Sequence, residues 1–267
     1  EFGAVFDSAI APWSVAPTVP AMLSGMVTSR SGWFETPYLN APCQLAELAN
    51  GLVSQQDAAG RRLYFVPGVQ QLDAGAADVM RGEETELFGW LASNASAQAQ
   101  QSAPAGQRLF LLPGTHSKWV RTNADGISGF KTCMTGELFA LLCEHSILGR
   151  LMTSGQPASA TAFAEGATRG LAEPQSLLSM LFSARAMPLL NVLPTDDVQD
   201  YLAGMLIGAE VAAQPDANLG PIVVIGRGDL TDRYISVLQM AGLSAEKAEP
   251  GAAYAGQFEL ARRAGLL

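Results

Sequence analysis

Apolar residues return at helical spacing from the first positions of the chain: Phe2, Val5, Phe6, Ile10 and Trp13 share one face of a 3.6-residue repeat, which predicts an opening helix. The run Pro20-Ala21-Met22-Leu23-Ser24 then reads as a buried strand, and the small and polar residues of 25–33 read as the loop it enters. Helical spacing resumes over 44–52. Arg62-Leu63-Tyr64-Phe65-Val66-Pro67 has the pattern of a short buried strand closed by Pro-Gly, and the apolar positions of 83–92 predict another helix. Residues 93–106 carry no periodicity and only small or polar side chains, the composition of a linker.

Beyond the linker, 108–113 is a strand, and 119–122 continues it past a Gly-Thr turn. Asn123-Ala124-Asp125-Gly126 is a hairpin turn leading into a returning strand over 127–132. A helix is expected to start at Thr135, with that threonine as its N-cap. Residues 150–200 form Ala- and Leu-rich helices with no site chemistry. A helix over 198–213, a strand over 221–226, a helix over 229–242 and a terminal helix over 251–265 complete an α/β order with no solenoid repeat. The linker divides the chain into domains 1–106 and 107–267.

Composition narrows the function classes. Of the 267 residues 48% are apolar, which describes a globular chain, and a net charge of −9 opposes a grip on the phosphate backbone of nucleic acid. Cys43, Cys133 and Cys143 are odd in number and widely spaced, as in a reducing compartment, where they serve as small buried hydrophobes. Two histidines, His116 and His145, leave little material for an imidazole metal cluster. No apolar run approaches the roughly 20 residues needed to span a bilayer, so a cytoplasmic protein with neither membrane nor nucleic-acid partner is expected. A homo-oligomer stays open.

Four segments carry candidate chemistry. The turn Gly114-Thr115-His116-Ser117-Lys118 between two strands offers backbone N–H groups, hydroxyls and a cation to a phosphate; the alternative is an ordinary hairpin. Gly226-Arg227-Gly228 lies between a strand and a helix, where glycines admit a phosphate-bearing or flat ligand; Thr231 stands where the dinucleotide fingerprint needs its third glycine. Glu83, Glu84 and Glu86 crowd a helix N-terminus, where the helix dipole favours them in any case, or where one of them takes a proton from a substrate hydroxyl. The loop 25–33 sets Ser29, Arg30, Ser31 and Trp33 together, an assortment suited to a polyol carboxylate or to a solvated loop.

Read in order, Gly25-Met26-Val27-Thr28-Ser29-Arg30-Ser31-Gly32-Trp33, Pro37-Tyr38-Leu39, Val79-Met80-Arg81-Gly82-Glu83-Glu84-Thr85, Leu112-Pro113-Gly114-Thr115-His116-Ser117-Lys118-Trp119 and Met134-Thr135-Gly136-Glu137-Leu138 resemble the 2-dehydro-3-deoxygalactonokinase family across essentially the whole chain. Leu206-Ile207-Gly208-Ala209-Glu210-Val211 and 226–234 continue the likeness. The resemblance implies two ribonuclease-H-like α/β domains of the actin-like ATPase type, closing on ATP and a 2-keto-3-deoxy sugar acid whose terminal hydroxyl is phosphorylated. It makes Gly114 to Lys118 the second phosphate motif, Gly226, Arg227 and Gly228 the adenosine motif, and Gly25, Met26, Ser29, Arg30 and Trp33 the grip on the acid. Glu83, then Glu84, falls where related sugar kinases carry their catalytic Asp. Members open with a strand and an Asp-x-Gly-Thr/Ser loop whose Asp helps to hold Mg²⁺, and no such sequence stands here. The first strands of that domain are therefore expected to be missing, and no metal ligand is assigned. The substrate is expected to be the galactonate acid, with its gluconate epimer or a non-catalytic sugar-acid-binding protein as alternatives.

Overall fold

A computed structural model describes residues 1–73, 76–95, 107–124, 126–153, 155, 157–214 and 220–267. Most of the expected linker, residues 96–106, and Asp125 of the hairpin turn lie outside the described residues. The first half runs α1 (Phe2–Ile10), β1 (Ala21–Leu23), β2 (Tyr38–Asn40), α2 (Leu45–Asn50), β3 (Val53–Gln56), β4 (Arg62–Phe65), β5 (Gly68–Asp73), β6 (Ala76–Met80) and α3 (Glu83–Ser93). There follow β7 (Arg108–Leu112), β8 (Ser117–Asn123), β9 (Gly126–Cys133), α4 (Thr135–His145), α5 (Ala160–Ala172), α6 (Leu177–Met180), α7 (Ser183–Leu189), α8 (Val198–Ala212), β10 (Ile222–Val224), α9 (Gly228–Met240), β11 (Ala245–Lys247) and α10 (Ala252–Arg263). The protein is a mixed α/β chain. No helix among the described residues is long and apolar enough to cross a membrane.

Two compact units are discontinuous in sequence: residues 1–107, 120–131 and 249–267 form one, and residues 108–119 and 132–248 the other. The first unit holds two three-stranded sheets, β1-β4-β3 and β2-β5-β6, in which β1 pairs parallel with β4 and β2 parallel with β5. Strands β3, β5 and β6 carried no expectation from periodicity. Val53-Ser54-Gln55-Gln56 and Gly68-Val69-Gln70-Gln71 are too polar to announce a strand, and their antiparallel or parallel partners hold them extended. Helix α10, which the sequence carries at the end of the 107–267 segment, packs instead on α3 in the first unit. Glycine permits this: a Cβ at Gly89 would lie 1.9 Å from the Ala252 carbonyl oxygen, and one at Gly256 1.9 Å from that of Thr85.

The second unit is built on a five-stranded sheet of order β11-β10-β7-β8-β9, of which β8 and β9 contribute residues 117–119 and 132–133 here. Strand β10 runs parallel to both β7 and β11. Short connections join β7 to β8 and β8 to β9, so those neighbours run antiparallel. Leu109, Leu111, Ile222 and Val224 of the sheet bury against Phe163 and Ala167 of α5, Ile207 of α8, and Tyr234 and Val237 of α9. Helices α5 and α8 touch backbone to backbone, because Gly166 and Gly170 face Gly204 and Gly208 at four-residue spacing. A Cβ at Gly204 would lie 2.0 Å from the Phe163 carbonyl oxygen.

One detail of α4 corrects the expectation. Thr135 is its first helical residue, and Met134 occupies the N-cap position with no side-chain bond. The N–H group that a threonine cap would satisfy, that of Glu137, donates to the Thr115 carbonyl at 2.9 Å, so the neighbouring turn supplies the cap.

Candidate active site

In the first unit, the loop after β1 and the start of α3 are tied by a residue that sequence reasoning left inside a motif, Arg81. Its guanidinium donates to the Thr28 hydroxyl at 2.9 Å, to the Thr36 hydroxyl and to the Thr36 carbonyl at 3.0 Å, and lies 4.2 Å from the centre of the Tyr38 ring. Three motifs distant in sequence, 25–33, 37–39 and 79–85, thus meet on one side chain. Gly25 and Gly82 also touch: both hold positive φ, +85° and +115°, and a Cβ at Gly82 would lie 3.0 Å from the Gly25 Cα.

Around that contact, Met26 and Arg30 are exposed, while Ser29 is buried with no partner for its hydroxyl among the described residues. Trp33 is half-buried and packs 5.6 Å from Phe6 and 6.0 Å from Phe65, centre to centre, so its ring serves the core of the unit. The two carboxylates at the head of α3 differ. Glu83 is half-buried and accepts the Arg81 backbone N–H at 2.9 Å. Glu84 is fully buried, accepting from Gly82 N–H at 2.7 Å and from the Thr85 hydroxyl at 3.0 Å. Burial, reinforced by the neighbouring Glu83 charge, pushes the Glu84 carboxyl up to about 7.

In the second unit, β7 and β10 are adjacent parallel strands, and the turns at their carboxyl ends lie side by side: Pro113 to His116 after β7, Gly226 to Gly228 after β10. The carboxyl edge of parallel strands is where α/β sheets bind ligands. Gly114 is half-buried and Thr115 and His116 are exposed. The His116 ring hydrogen-bonds the Glu137 carboxylate, and a Cβ at Gly136 would lie 2.4 Å from the Gly114 carbonyl oxygen, so the amino end of α4 is clamped onto the turn. Arg227 is exposed in extended backbone, and Gly228 opens α9 with φ +64°.

Ser117 and Lys118 point inward. The Lys118 ammonium donates to the Thr132 hydroxyl at 2.8 Å, and the Ser117 hydroxyl donates to Glu210 at 2.8 Å. Glu210, buried near the end of α8, also accepts the Trp119 indole N–H at 2.7 Å and the Tyr234 hydroxyl at 2.6 Å. Burial and the Glu210 charge hold the Tyr234 phenol far above its ordinary range, so it remains a donor. This network fixes the base of the turn; its signal in the sequence was an acid in the apolar run 202–212. Beside the turns lies a cavity of about 350 Å³, lined by Gly114, Gly136, Phe139, Leu206, Leu230 and Arg233 among others. Among the described residues no group of three His, Cys, Asp or Glu side chains is placed to hold a metal ion.

One unit thus presents two adjacent turns at the carboxyl edge of parallel strands with a cavity beside Gly114, and the other a carboxylate-headed helix beside an Arg-bearing loop. The chain belongs to the 2-keto-3-deoxy-galactonokinase family, whose model matches residues 1–260. It is 37% identical over 241 residues to the 2-dehydro-3-deoxygalactonokinase of Escherichia coli (strain K12), covering 90% of this chain and 76% of that one. It is 34% identical over 267 residues to the "Probable 2-dehydro-3-deoxygalactonokinase DgoK1" of Rhizobium meliloti (strain 1021), covering 98% and 84% respectively. A crystal structure of a Sinorhizobium meliloti protein assigned as a 2-dehydro-3-deoxygalactonokinase superposes with a TM-score of 0.88 at 34% identity, covering 98% of this chain and 83% of that one.

Proposed function

We propose that this kinase transfers the γ-phosphoryl group of ATP to the terminal C6 hydroxyl of 2-dehydro-3-deoxy-D-galactonate, yielding the 6-phosphate. The observation that carries phosphoryl transfer is the pair of turns at the carboxyl ends of β7 and β10, next to the clamped amino end of α4. The names of the relatives favour the galactonate acid over its gluconate epimer and over a non-catalytic sugar-acid-binding protein. The sheet order β9-β8-β7-β10-β11, an antiparallel meander extended by two parallel strands, supports reading the second unit as a ribonuclease-H-like domain of the actin-like type.

Division of labour follows from the placement of side chains. Gly114, Thr115 and His116 present the exposed part of the phosphate turn, with Ser117 and Lys118 securing its base. Mg²⁺ would travel with the triphosphate, held chiefly by phosphate oxygens and water, and would neutralise the charge that develops on transfer. In the first unit the exposed Arg30 is offered to the acid, with the buried Ser29 hydroxyl behind it, and Glu83 is the general base that accepts the C6 hydroxyl proton. Glu84, sealed from solvent, serves as scaffold beneath it.

A coupled assay of ADP release with the two keto-deoxy acid epimers tests the reading. Turnover with the galactonate acid, at a kcat/KM exceeding that for the gluconate epimer, is expected. ADP release that neither acid stimulates would refute phosphoryl transfer to this substrate class.

A further inference from the structure

In the first unit the group offered to the acid and the group offered to its hydroxyl belong to different segments, Arg30 to the loop 25–36 and Glu83 to the head of α3. Arg81 joins them. Its backbone N–H donates to the Glu83 carboxylate at 2.9 Å, while its guanidinium holds the loop. That loop is closed on itself: the Thr36 N–H donates to the Thr28 carbonyl at 3.0 Å, the Trp33 N–H to that of Val27 at 2.7 Å and the Gly32 N–H to that of Ser29 at 2.8 Å. The last of these bonds makes the turn on which Arg30 stands exposed. Arg81 grips the loop at its closure, donating to the Thr28 hydroxyl and to the hydroxyl and carbonyl of Thr36, the two residues that the closing bond joins. The Thr28 hydroxyl passes the contact on to the Gly25 carbonyl at 3.0 Å, and the Tyr38 ring, 4.2 Å away, sets the plane of the guanidinium.

The acceptors of this guanidinium are two hydroxyls and a carbonyl, all neutral, so the contact supplies direction more than charge pairing. A planar fork stacked on a ring fixes the angle between loop and helix, which a single ammonium on a flexible stem does not. With the loop closed on itself and Glu83 tied to the main chain of the same residue, the separation of Arg30 from Glu83 is set at Arg81. A keto-deoxy acid carries its carboxylate at one end and its reacting hydroxyl at the other, so that separation selects the length of the acid. Resting on the kinase reading above, we propose that Arg81 is a positioning residue that fixes the acid-binding loop against Glu83 and thereby selects a six-carbon keto-deoxy acid over its five-carbon homologue.

The test compares kcat/KM of the intact protein for the six-carbon acid and for the five-carbon 2-keto-3-deoxy acid, whose terminal hydroxyl falls one bond short of the base. Wild type is expected to prefer the longer acid on the order of 10²-fold, the rate cost of about 1 Å of misplacement. Arg81→Ala is expected to narrow that preference below about tenfold, chiefly by losing rate with the six-carbon acid, and to leave KM for ATP within about twofold of wild type. Arg81→Lys, which keeps the charge and loses the fork, should fall between the two. Thr28→Val removes one acceptor and leaves the guanidinium in place; it is expected to narrow the preference in the same direction and to add nothing to Arg81→Ala. The lysine and valine variants carry the test if the alanine variant does not fold or does not turn over. A preference that stays at the wild-type ratio in the variants, even where both rates fall together, marks a merely structural arginine and overturns the proposal. A wild-type protein that turns over the two acids alike also overturns it and spares the kinase reading. A wild-type protein that phosphorylates neither acid overturns both.

Discussion

Replacing Glu84 by Gln makes a stability experiment out of one buried carboxyl. In the folded protein the group is sealed from water and its acidity falls from an ordinary 4.5 to about 7, with burial the larger cause and Glu83 the second. Below pH about 4.5 the carboxyl is protonated in folded and unfolded chains alike. Between about 4.5 and 7 the unfolded chain loses the proton and the folded one keeps it, so stability declines as pH rises through that window and levels off above it. At about 1.4 kcal/mol for each unit, the decline attributable to Glu84 is about 3 kcal/mol. Glutamine mimics the protonated acid: its carbonyl still accepts the Gly82 N–H, and its amide faces the Thr85 hydroxyl. Urea denaturation of both proteins from pH 5 to pH 8 isolates the effect, because titrations not coupled to Glu84 cancel in the difference. The variant should equal wild type near pH 5 and exceed it by about 2–3 kcal/mol at pH 8. A difference that stays constant across the range would refute the assignment of a raised, buried Glu84.

The remaining expectations concern the site and its supports. Glu83→Gln should lower kcat by about 10²- to 10⁴-fold with little change in KM for the acid, measured by steady-state kinetics; near-normal kcat would remove Glu83 as the base. Arg30→Ala should raise KM for the keto-acid on the order of 10- to 100-fold and KM for ATP by far less, and equal effects would sink the acid grip. Glu210→Ala removes the shared acceptor of Ser117, Trp119 and Tyr234, leaving the first and last only longer contacts to the Cys133 carbonyl and to Ser117, and should cost about 2–4 kcal/mol in urea titrations; a loss below about 1 kcal/mol would contradict the network. Gly204→Ala drives a methyl into the Phe163 carbonyl and should cost about 2–3 kcal/mol, read as a lowered Tm.

How far the site was legible depended on the range of the forces that build it. The turn at Gly114 and the strand–Gly226–helix passage are written in short stretches, since apolar runs and glycines act over a few residues. The long-range ties are not: Glu137 reaches His116 across 21 positions, and in the first unit Arg81 reaches Thr28 across 53. Thr135 was expected to cap α4 because local rules ask for a hydroxyl there, and the carbonyl of Thr115 outcompeted it once the turn had folded back. Trp33 could be read from its loop either as a wall for the acid or as a core residue, and only packing sets its ring against Phe6 and Phe65. Residues 150–200 showed no chemistry in sequence, yet Asp200 at their end holds Arg233 at the cavity.

By itself the sequence determined the α/β alternation, the helices and strands with strong periodicity, and the ordered motifs that mark a sugar-acid kinase family. Those properties follow from local backbone preference and from hydrophobic period, which each segment carries whatever its neighbours do. Only the tertiary structure decided which of the two adjacent glutamates faces outward, which side chains of the Gly114 turn are buried, that α10 returns to α3, and that a cavity opens beside Gly114. Each of these depends on exclusion of water and on contact between distant segments, and neither quantity is defined until the chain has packed.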